Sequence, residues 1–451
     1  MELRNIYHLY RRAAFGISPS EAKKLVSLST EEVVDRLFRD SEEITPLTID
    51  LPDFDEFFED GMQGRLRQLE KIIRENAPKH IDYNAAWFKK LCSSSEALNE
   101  RMTLFWANHF VCRDQVIYYA IQYYNILRKN ALGNFKDFTK EVAKAPSMMK
   151  YLNTNSNFKN RPNENFAREL MELFTLGTGN YSEEDIKEAA RAFTGYSSRM
   201  DGSFFLNMRQ HDFGEKQFMG WNAYLDGDDI INIICEKKEC AQFVCRKLYS
   251  YFVNTTVNGS HVNEMADVFY KAYDIKEVMR YVFTADWFYA EENVGTKIKS
   301  PVDLLTSIYR VVPFNFEQPR QQLFVQRLMG QALLEPPNVA GWPGGRHWIN
   351  TNTLMVRMKL PSIFLGNGLI PSNSLGYAFM EGRSFGDRFN ISKDWKAFDE
   401  EYGNLREEML HSAICAPELE KGTLDLILKG SRFSKQEKSL QLMSVPEFQL
   451  T

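Results

Sequence analysis

Apolar residues recur three or four positions apart along most of the chain, a spacing that places them on one face of a helix. Leu104, Trp106, Phe110 and Val111 follow this pattern within one such segment. Helices are predicted over residues 62–75, 80–93, 95–112, 116–131, 134–152, 162–176, 183–194, 228–254, 261–284, 300–312, 318–330 and 351–364, and near 393–416 and 431–443. The pattern predicts a mainly α protein with a large, bundle-like domain.

Capping residues mark the start of several of these helices. Ser18 precedes Pro19 and has Glu21 three positions later, and Ser29 and Ser182 begin similar patterns. A serine hydroxyl can accept a hydrogen bond from the free backbone N–H groups of the first turn, and proline fits the first helical position. We therefore expect helices to begin directly after these three serines.

Two segments depart from the helical pattern. Asp201-Gly202 lies between two short segments, 196–200 and 203–208, that contain aromatic and polar residues. This dipeptide is a strong signal for a tight turn between strands. One small β-hairpin is therefore predicted near residues 196–208. The loop 335–348 contains three prolines and three glycines, which exclude regular structure there.

A domain boundary is predicted within the stretch 366–392, which is rich in glycine, serine and asparagine. We expect a helical domain over residues 1–365. Residues 366–451 are then a loop-rich segment followed by C-terminal helices that pack on the main domain.

Composition and charge narrow the classes of protein and partner that fit this sequence. The chain has 451 residues, 44% hydrophobic and 25% charged, which is typical of a globular protein. Its net charge of -5 comes from interleaved signs without a basic stripe, so nucleic acid is not an expected partner. No secretory signal and no apolar run of about 18 residues occur, which predicts no membrane span and a cytoplasmic protein, or an exported one if the sequence begins after processing.

The predicted helix 162–176 carries a polar arc opposite an apolar one. The polar arc holds Glu164, Asn165, Arg168, Glu169 and Glu172. The simplest interpretation is a solvated face on which Arg168 pairs with the glutamates four positions away on either side. The dense polar sequence from Arg161 to Asn165, including Asn163, suits recognition of a polar ligand instead.

Histidines could complete a metal site with this arc. Glu169 and Glu172, three positions apart, together with His109 and His211, would suit zinc, iron or manganese with an open position that activates water. No sequence spacing links the four residues. His109 lies among aromatic residues and also fits a core position, and His211 beside Asp212 also fits a turn.

Other interpretations of the same residues remain open. Without a metal, Glu169 and Glu172 could act as acid and base, as in glycoside hydrolysis. Trp342 and Trp348 flank His347 in the proline-rich loop, where they could stack on a ligand or pin a rigid loop to the body. No GxGxxG, P-loop, GxSxG or HExxH motif is present, which argues against nucleotide chemistry, a serine hydrolase elbow and a zincin protease.

Several motifs in order resemble the bacterial "domain of unknown function 1800" family over about residues 8 to 360. They are Arg11 to Gly16, Phe105 to Phe110, Pro162 to Leu176, Ala190 to Gly195, His211-Asp212 and Pro336 to Trp342. The resemblance implies a helical bacterial protein without an agreed activity. Many members carry export signals, and their genes often lie beside those of another uncharacterised exported family.

The resemblance also implies a set of site positions. They match His109, Asn163, Glu164, Asn165, Arg168, Glu169, Glu172, Arg191, His211, Asp212, Lys216, Gly341 and Trp342. Two features depart from the family: Asn153 stands where relatives are expected to have aspartate, and no export signal is seen. The first departure puts a catalytic role for position 153 in doubt.

Two functions follow as hypotheses. The first is a metal-assisted hydrolase in which Glu164, Arg168, Glu169 and Glu172 are catalytic and the metal is one divalent ion. Its ligand-binding residues are Asn163, Asn165, Arg191, Asp212, Lys216 and Trp342. The alternative is a non-catalytic binding or scaffolding protein for a polysaccharide or a partner protein, including the product of a neighbouring gene, with the same charged residues forming a structural ion-pair network.

Overall fold

Helices account for most of the chain, as predicted. The computed structural model describes residues 1–52, 70, 72–366, 389–428 and 433–451. The first helices are α1 (Leu3–Ala13), α2 (Pro19–Leu25), α3 (Thr30–Arg39), α4 (Lys79–Ser93), α5 (Ala97–His109), α6 (Ile117–Asn130), α7 (Phe135–Lys144), α8 (Pro146–Tyr151), α9 (Asn165–Glu169) and α10 (Glu183–Ala192). A π-helix, Leu170–Thr175, continues α9.

The later helices follow a group of short strands. They are α11 (Gly227–Cys235), α12 (Lys238–Phe252), α13 (Gly259–Phe269), α14 (Ile275–Thr284), α15 (Pro301–Val311), α16 (Pro319–Met329), α17 (Thr351–Leu365), α18 (Trp395–Tyr402), α19 (Glu407–Ile414), α20 (Lys421–Leu428) and α21 (Lys435–Met443). Short 3-10 helices lie at Thr154–Ser156, Asp286–Tyr289, Glu291–Asn293, Gly345–Trp348 and Pro446–Gln449.

The predicted helix starts are confirmed. Ser18 accepts a hydrogen bond from the backbone N–H of Glu21 at 3.4 Å, and Ser29 and Ser182 each form a complete capping box. Several predicted helices are divided. The segments predicted at 228–254, 261–284 and 393–416 each contain two helices, and 134–152 breaks at Ala145. Ala145 precedes a proline and has an extended backbone, with φ of -70° and ψ of 133°, because proline disfavours helical geometry in the residue before it.

The strands form three separate two-stranded antiparallel sheets. The predicted hairpin is confirmed, with β1 (Tyr196–Ser198) paired to β2 (Phe204–Leu206). The expectation of a single hairpin was wrong. A second hairpin joins β3 (Lys216–Phe218) to β4 (Trp221–Ala223), and β5 (Phe314–Phe316) pairs with β6 (Ile391–Lys393).

Local sequence gives no signal for these two extra sheets. The turn between β3 and β4 is Met219-Gly220, with φ of 49° and 90°, and methionine is an unusual residue in a left-handed turn position. The strands β5 and β6 are far apart in sequence, so their pairing depends on tertiary contacts.

The helix α5 runs through the core, and almost all of its side chains are buried. The Trp106 ring packs against Phe110 and Phe135, with centroids 5.7 Å and 5.8 Å away. Glu100 and Arg128 form a fully buried ion pair between α5 and α6. A charged pair therefore lies within an otherwise aromatic core.

The end of the described chain packs against residues 297–299. Ile298 and Leu450 form an isolated antiparallel bridge, and the backbone N–H of Lys299 donates to the Gln449 carbonyl at 2.8 Å.

The proposed division at residue 366 stays a prediction. Most of the stretch 366–392, and most of the helix predicted over 62–75, lie outside the described residues.

Candidate functional site

The predicted site helix changes its winding halfway along. After α9, the π-helix Leu170–Thr175 widens the turn, so that the backbone N–H groups of Leu176 and Gly177 both donate to the Met171 carbonyl at 2.9 Å. The apolar arc is buried, as the sequence predicts. Such π-helical turns are frequent at functional sites because they shift side chains and carbonyl groups out of the regular register.

The polar arc of this helix forms ion pairs at the surface. Arg168 contacts Glu164 at 3.1 Å and Glu183 at 2.9 Å, and its side chain is 37% exposed. Tyr181 donates a hydrogen bond to Glu172 at 3.2 Å. Burial, with a smaller contribution from Glu172, raises the pKa of Glu169. The predicted pair of Arg168 with Glu164 is observed, whereas in the described residues Arg168 pairs with Glu183 and not with Glu172.

The two asparagines at the start of the segment serve the backbone. The Asn163 side chain accepts a hydrogen bond from the backbone N–H of Asn165 at 3.0 Å, and the Asn163 N–H donates to the Asn157 side chain at 2.9 Å. Asn165 itself is exposed. Asn163 therefore shapes the turn that leads into α9, in the manner of an Asx turn.

A second polar cluster ties the end of α10 to the loop before β3. Arg191 donates to Asp212 and Glu188, both at 2.8 Å. One ring nitrogen of His211 contacts the Thr194 carbonyl at 2.7 Å, and Lys216 donates to the Asp212 carbonyl at 2.7 Å. Asp212 is the centre of this cluster, because Arg191 contacts its carboxylate and Lys216 contacts its backbone carbonyl. The His211 contact attaches the same loop to the end of α10.

Replacing Arg191 with methionine is expected to lower the free energy of unfolding by about 1–3 kcal/mol, because a partly buried cluster loses its charge-assisted hydrogen bonds. Urea unfolding measures this change. Arg168→Met is the matched control and should leave the unfolding midpoint nearly unchanged, since ion pairs at the surface contribute little. Equal losses in both variants would contradict this difference between the two clusters.

The four proposed metal ligands do not meet. No group of three or more His, Cys, Asp or Glu side chains within the described residues is arranged to hold a metal ion. His109 is fixed to the Phe174 carbonyl and His211 to the Thr194 carbonyl, on different elements. The predicted convergence of both histidines with Glu169 and Glu172 is therefore not observed.

A cleft of about 780 Å³ lies elsewhere, between α5, α12, the segment 297–300 and the loop 340–348. We call the segment 297–300 the strap and the cleft the Trp342 cleft. Five aromatic side chains contribute to its walls: Phe105, Phe243, Tyr251, Trp342 and Trp348. Cavities of about 300–1,000 Å³ with apolar walls and a few polar groups are typical binding sites for small molecules.

The π-helix contacts two side chains of this cleft through its last carbonyl groups. The Lys247 ammonium donates to the Leu173 carbonyl at 2.7 Å, and His109 Nε2 contacts the next carbonyl, Phe174, at 2.9 Å. Carbonyl groups in the last turn of a helix lack partners within the helix and attract donors and cations. Lys247 and His109 both line the cleft, so this helix end holds two of its lining side chains.

His109 presents an unused acceptor. Because its Nε2 contacts a carbonyl oxygen, Nε2 carries the hydrogen and Nδ1 carries a lone pair. Within the described part of the chain, the buried Nδ1 has no hydrogen-bond partner. Burial, with a smaller contribution from the Lys247 charge, holds the pKa of His109 well below its usual value. The ring is therefore neutral at physiological pH.

Trp342 presents an unused donor in the same cleft. Its Nε1 is buried and has no hydrogen-bond partner among the described residues. A buried polar group without a partner costs free energy, about 1–3 kcal/mol. His109 Nδ1 and Trp342 Nε1 are thus an acceptor and a donor without partners in the described chain, on two residues that line the cleft.

The cleft is also rich in basic side chains. Arg246, Lys247, Lys297 and Arg346 line it, and none of the four forms an ion pair with a carboxylate in the described ranges. The carboxylate of Asp303 lies in the wall but is paired with Arg101. Burial lowers the pKa of Lys247 to about 8. A protein with a net charge of -5 thus contains a locally cationic cleft.

Asn108 fixes the loop that closes one side of the cleft. Its side chain accepts from the Trp342 N–H at 2.6 Å and donates to the Trp342 carbonyl at 3.2 Å. Gly341 has φ of +82°, and a β-carbon there would lie 2.2 Å from the Asn108 oxygen. The tryptophans of this loop are buried against the body and also line the cleft, whereas stacking on a ligand stays a prediction.

Sequence analysis identified His109 and Trp342 but missed Lys247, Arg246 and Lys297. One signal was present on α12, where Phe243, Lys247 and Tyr251 recur every four residues. A lysine between two aromatic residues on one helical face is unusual on a purely solvated surface. The contribution of the strap 297–300 had no comparable local signal.

Comparisons with known proteins extend the resemblance over nearly the whole chain. A family model described as "Protein of unknown function (DUF1800)" matches residues 8–450. No curated protein and no solved structure matches the chain. In the described part, no helix is long and apolar enough to cross a membrane. The predicted family is confirmed, and the chain belongs to the DUF1800 family of proteins of unknown function.

Proposed function

We propose that this protein binds a small organic anion with a flat, apolar body in the Trp342 cleft. The observation that carries the proposal is the excess of cationic side chains in a cleft with aromatic walls. Arg246, Lys247, Lys297 and Arg346 have no carboxylate partners among the described residues. An anionic ligand would neutralise them, and its apolar body would cover the aromatic side chains.

The unpaired atoms of the cleft support the same function. The ligand would gain a hydrogen bond from Trp342 Nε1 and could donate one to His109 Nδ1. Desolvated groups held in place by other contacts favour specific binding because little ordering is needed when the ligand arrives. His109 is fixed by Phe174, and Trp342 is fixed by Asn108.

Binding is favoured over the hydrolase hypothesis by the contacts of the polar arc. Arg168 is committed to Glu164 and Glu183, and Glu172 accepts from Tyr181. In this proposal these residues stabilise the helix whose end supports the cleft. Acid and base roles for Glu169 and Glu172, and binding of a polysaccharide or partner protein, stay predictions.

Calorimetry with phenylacetate and phenylacetamide tests the proposal, because the two compounds have similar shapes and differ in charge. Phenylacetate is expected to bind at least about tenfold more tightly at low salt, and its affinity should fall as salt rises. Arg246→Ala and Lys297→Met should each weaken phenylacetate binding. Arg209→Ala, which removes an exposed cation outside the cleft, is the control.

Two outcomes would contradict anion binding in this cleft. One is equal affinity for the acid and the amide. The other is an equal loss of affinity in Arg209→Ala and the two cleft variants, which would indicate nonspecific attraction to the surface. Thermal unfolding of each variant without ligand checks that the fold is retained.

A further inference from the structure

We propose that Lys247 forms an imine with a carbonyl group of the bound anion, so that the Trp342 cleft acts on oxo acids. The inference rests on the proposed function, since the cleft must first bind an organic anion. It adds a covalent step and a substrate class, a carbonyl compound that bears a carboxylate or phosphate.

The surroundings of Lys247 suit a nucleophilic amine. Its Nζ donates to the Leu173 carbonyl at 2.7 Å and lies 4.8 Å from the centre of the Phe243 ring. No carboxylate in the described residues pairs with it. A neutral amine can donate one hydrogen to Leu173 and keep its lone pair for attack, and an apolar, cationic setting favours that neutral form.

Several other lysines form ion pairs with carboxylates. Lys129, Lys150 and Lys238, for example, contact Glu141, Asp114 and Asp267 respectively. Such carboxylates stabilise the charged ammonium and so suppress nucleophilic reactivity. Lys247 instead contacts an uncharged carbonyl at a helix end and faces a cleft large enough for a ligand.

His109 supplies a route for the proton. It is held by the carbonyl next to the one that holds Lys247, and its Nδ1 has a free lone pair. As the lysine nitrogen bonds to the carbonyl carbon, the C=O π electrons move to oxygen, and Nδ1 passes one proton from nitrogen to that oxygen, which becomes a hydroxyl group. The nitrogen lone pair then forms the C=N bond as the hydroxyl group leaves, and the second proton from nitrogen, carried by Nδ1, completes the water molecule. Amine and carbonyl thus give imine and water, with no oxidant or reductant.

The remaining cations orient the substrate. Arg246, one position before Lys247, and Lys297 of the opposite strap line the same cleft. An anionic group bound by these side chains would hold the adjacent carbonyl carbon near Nζ. The Phe243 and Tyr251 rings, four residues away on either side of Lys247, would cover the apolar part of the substrate and exclude water.

Reductive trapping tests the inference. The full-length protein is incubated with phenylpyruvate and sodium cyanoborohydride, which reduces an imine to a stable secondary amine, and the modified residue is identified by peptide mass mapping. Lys247 is expected to be modified at least about tenfold faster than any other lysine at pH 7, because more of its amine is neutral. Lys247→Met should remove this adduct, and Lys271→Met, at an exposed site, should retain it.

The pH dependence provides a test that needs no variant. Only the neutral amine attacks, so the trapping rate at Lys247 should rise with pH and level off above about 8, the value to which burial lowers its pKa. An ordinary lysine would continue to gain reactivity towards its usual pKa of about 10.4. Continued increase at Lys247 through that higher range would overturn the inference.

Phenyllactate separates the two proposals, because its hydroxyl group cannot form an imine. If phenyllactate binds but trapping modifies Lys247 no faster than exposed lysines, the covalent step is wrong and anion binding stands. If neither compound binds and no selective adduct forms, both proposals fail. Selective modification of Lys247 together with phenyllactate competition supports both.

Discussion

Replacing Glu100 with alanine is expected to lower the free energy of unfolding by about 3–5 kcal/mol, because it leaves the Arg128 charge buried without its partner. Both side chains are 0% exposed. Glu100 also accepts from the Trp87 indole at 3.1 Å, so a second donor loses its partner. Chemical denaturation with urea, followed by tryptophan fluorescence and circular dichroism, measures the loss.

The matched control for this prediction is the exposed Glu239, whose replacement by alanine should change the free energy of unfolding very little. A double variant, Glu100→Ala with Arg128→Met, should be more stable than the sum of the single losses predicts, because the unpaired charge is removed. A loss in Glu100→Ala no larger than that in Glu239→Ala would refute the energetic role of the pair.

Replacing Gly341 with alanine is expected to weaken phenylacetate binding at least about tenfold and to lower the free energy of unfolding by about 1–3 kcal/mol. The backbone at 341 has positive φ, and the added β-carbon would lie 2.2 Å from the Asn108 oxygen. That oxygen holds the Trp342 N–H, so the loop must shift away from the cleft. Calorimetry and urea unfolding measure the two effects.

Gly344 offers a control within the same loop. A β-carbon there would meet nothing within 4 Å, and its φ of -111° suits any residue. Gly344→Ala should therefore retain both binding and stability, although Gly344 also lines the cleft. Equal losses in the two variants would show that the Asn108 contact is not what positions Trp342.

Much of the fold could be predicted because its signals are local. The caps at Ser29 and Ser182 depend on residues three positions away, and the Asp201-Gly202 turn depends on two residues. The π-helix could not be predicted, since the apolar spacing of 162–176 also fits an α-helix. Its widened turn becomes evident only from the hydrogen bonds to Met171.

The candidate site was harder to predict because it is assembled from distant segments. His109, Lys247, Lys297 and Trp342 lie on four elements, and no spacing in the sequence relates them. The polar arc at Glu164 to Glu172 attracted the functional hypothesis because its charges are concentrated in sequence. In space Arg168 and Glu164 pair at the surface, whereas the less conspicuous end of the same helix holds Lys247 and His109.

The π-helix gives this segment an unusual intolerance to changes in length. The π turn holds one more residue than an α-helical turn. Deleting one residue between Leu170 and Thr175 would let the turn close with α-helical hydrogen bonds and would change which carbonyl groups stand where those of Leu173 and Phe174 now hold Lys247 and His109. A one-residue deletion here is therefore expected to disturb the supports of the cleft, although it removes no side chain from its walls.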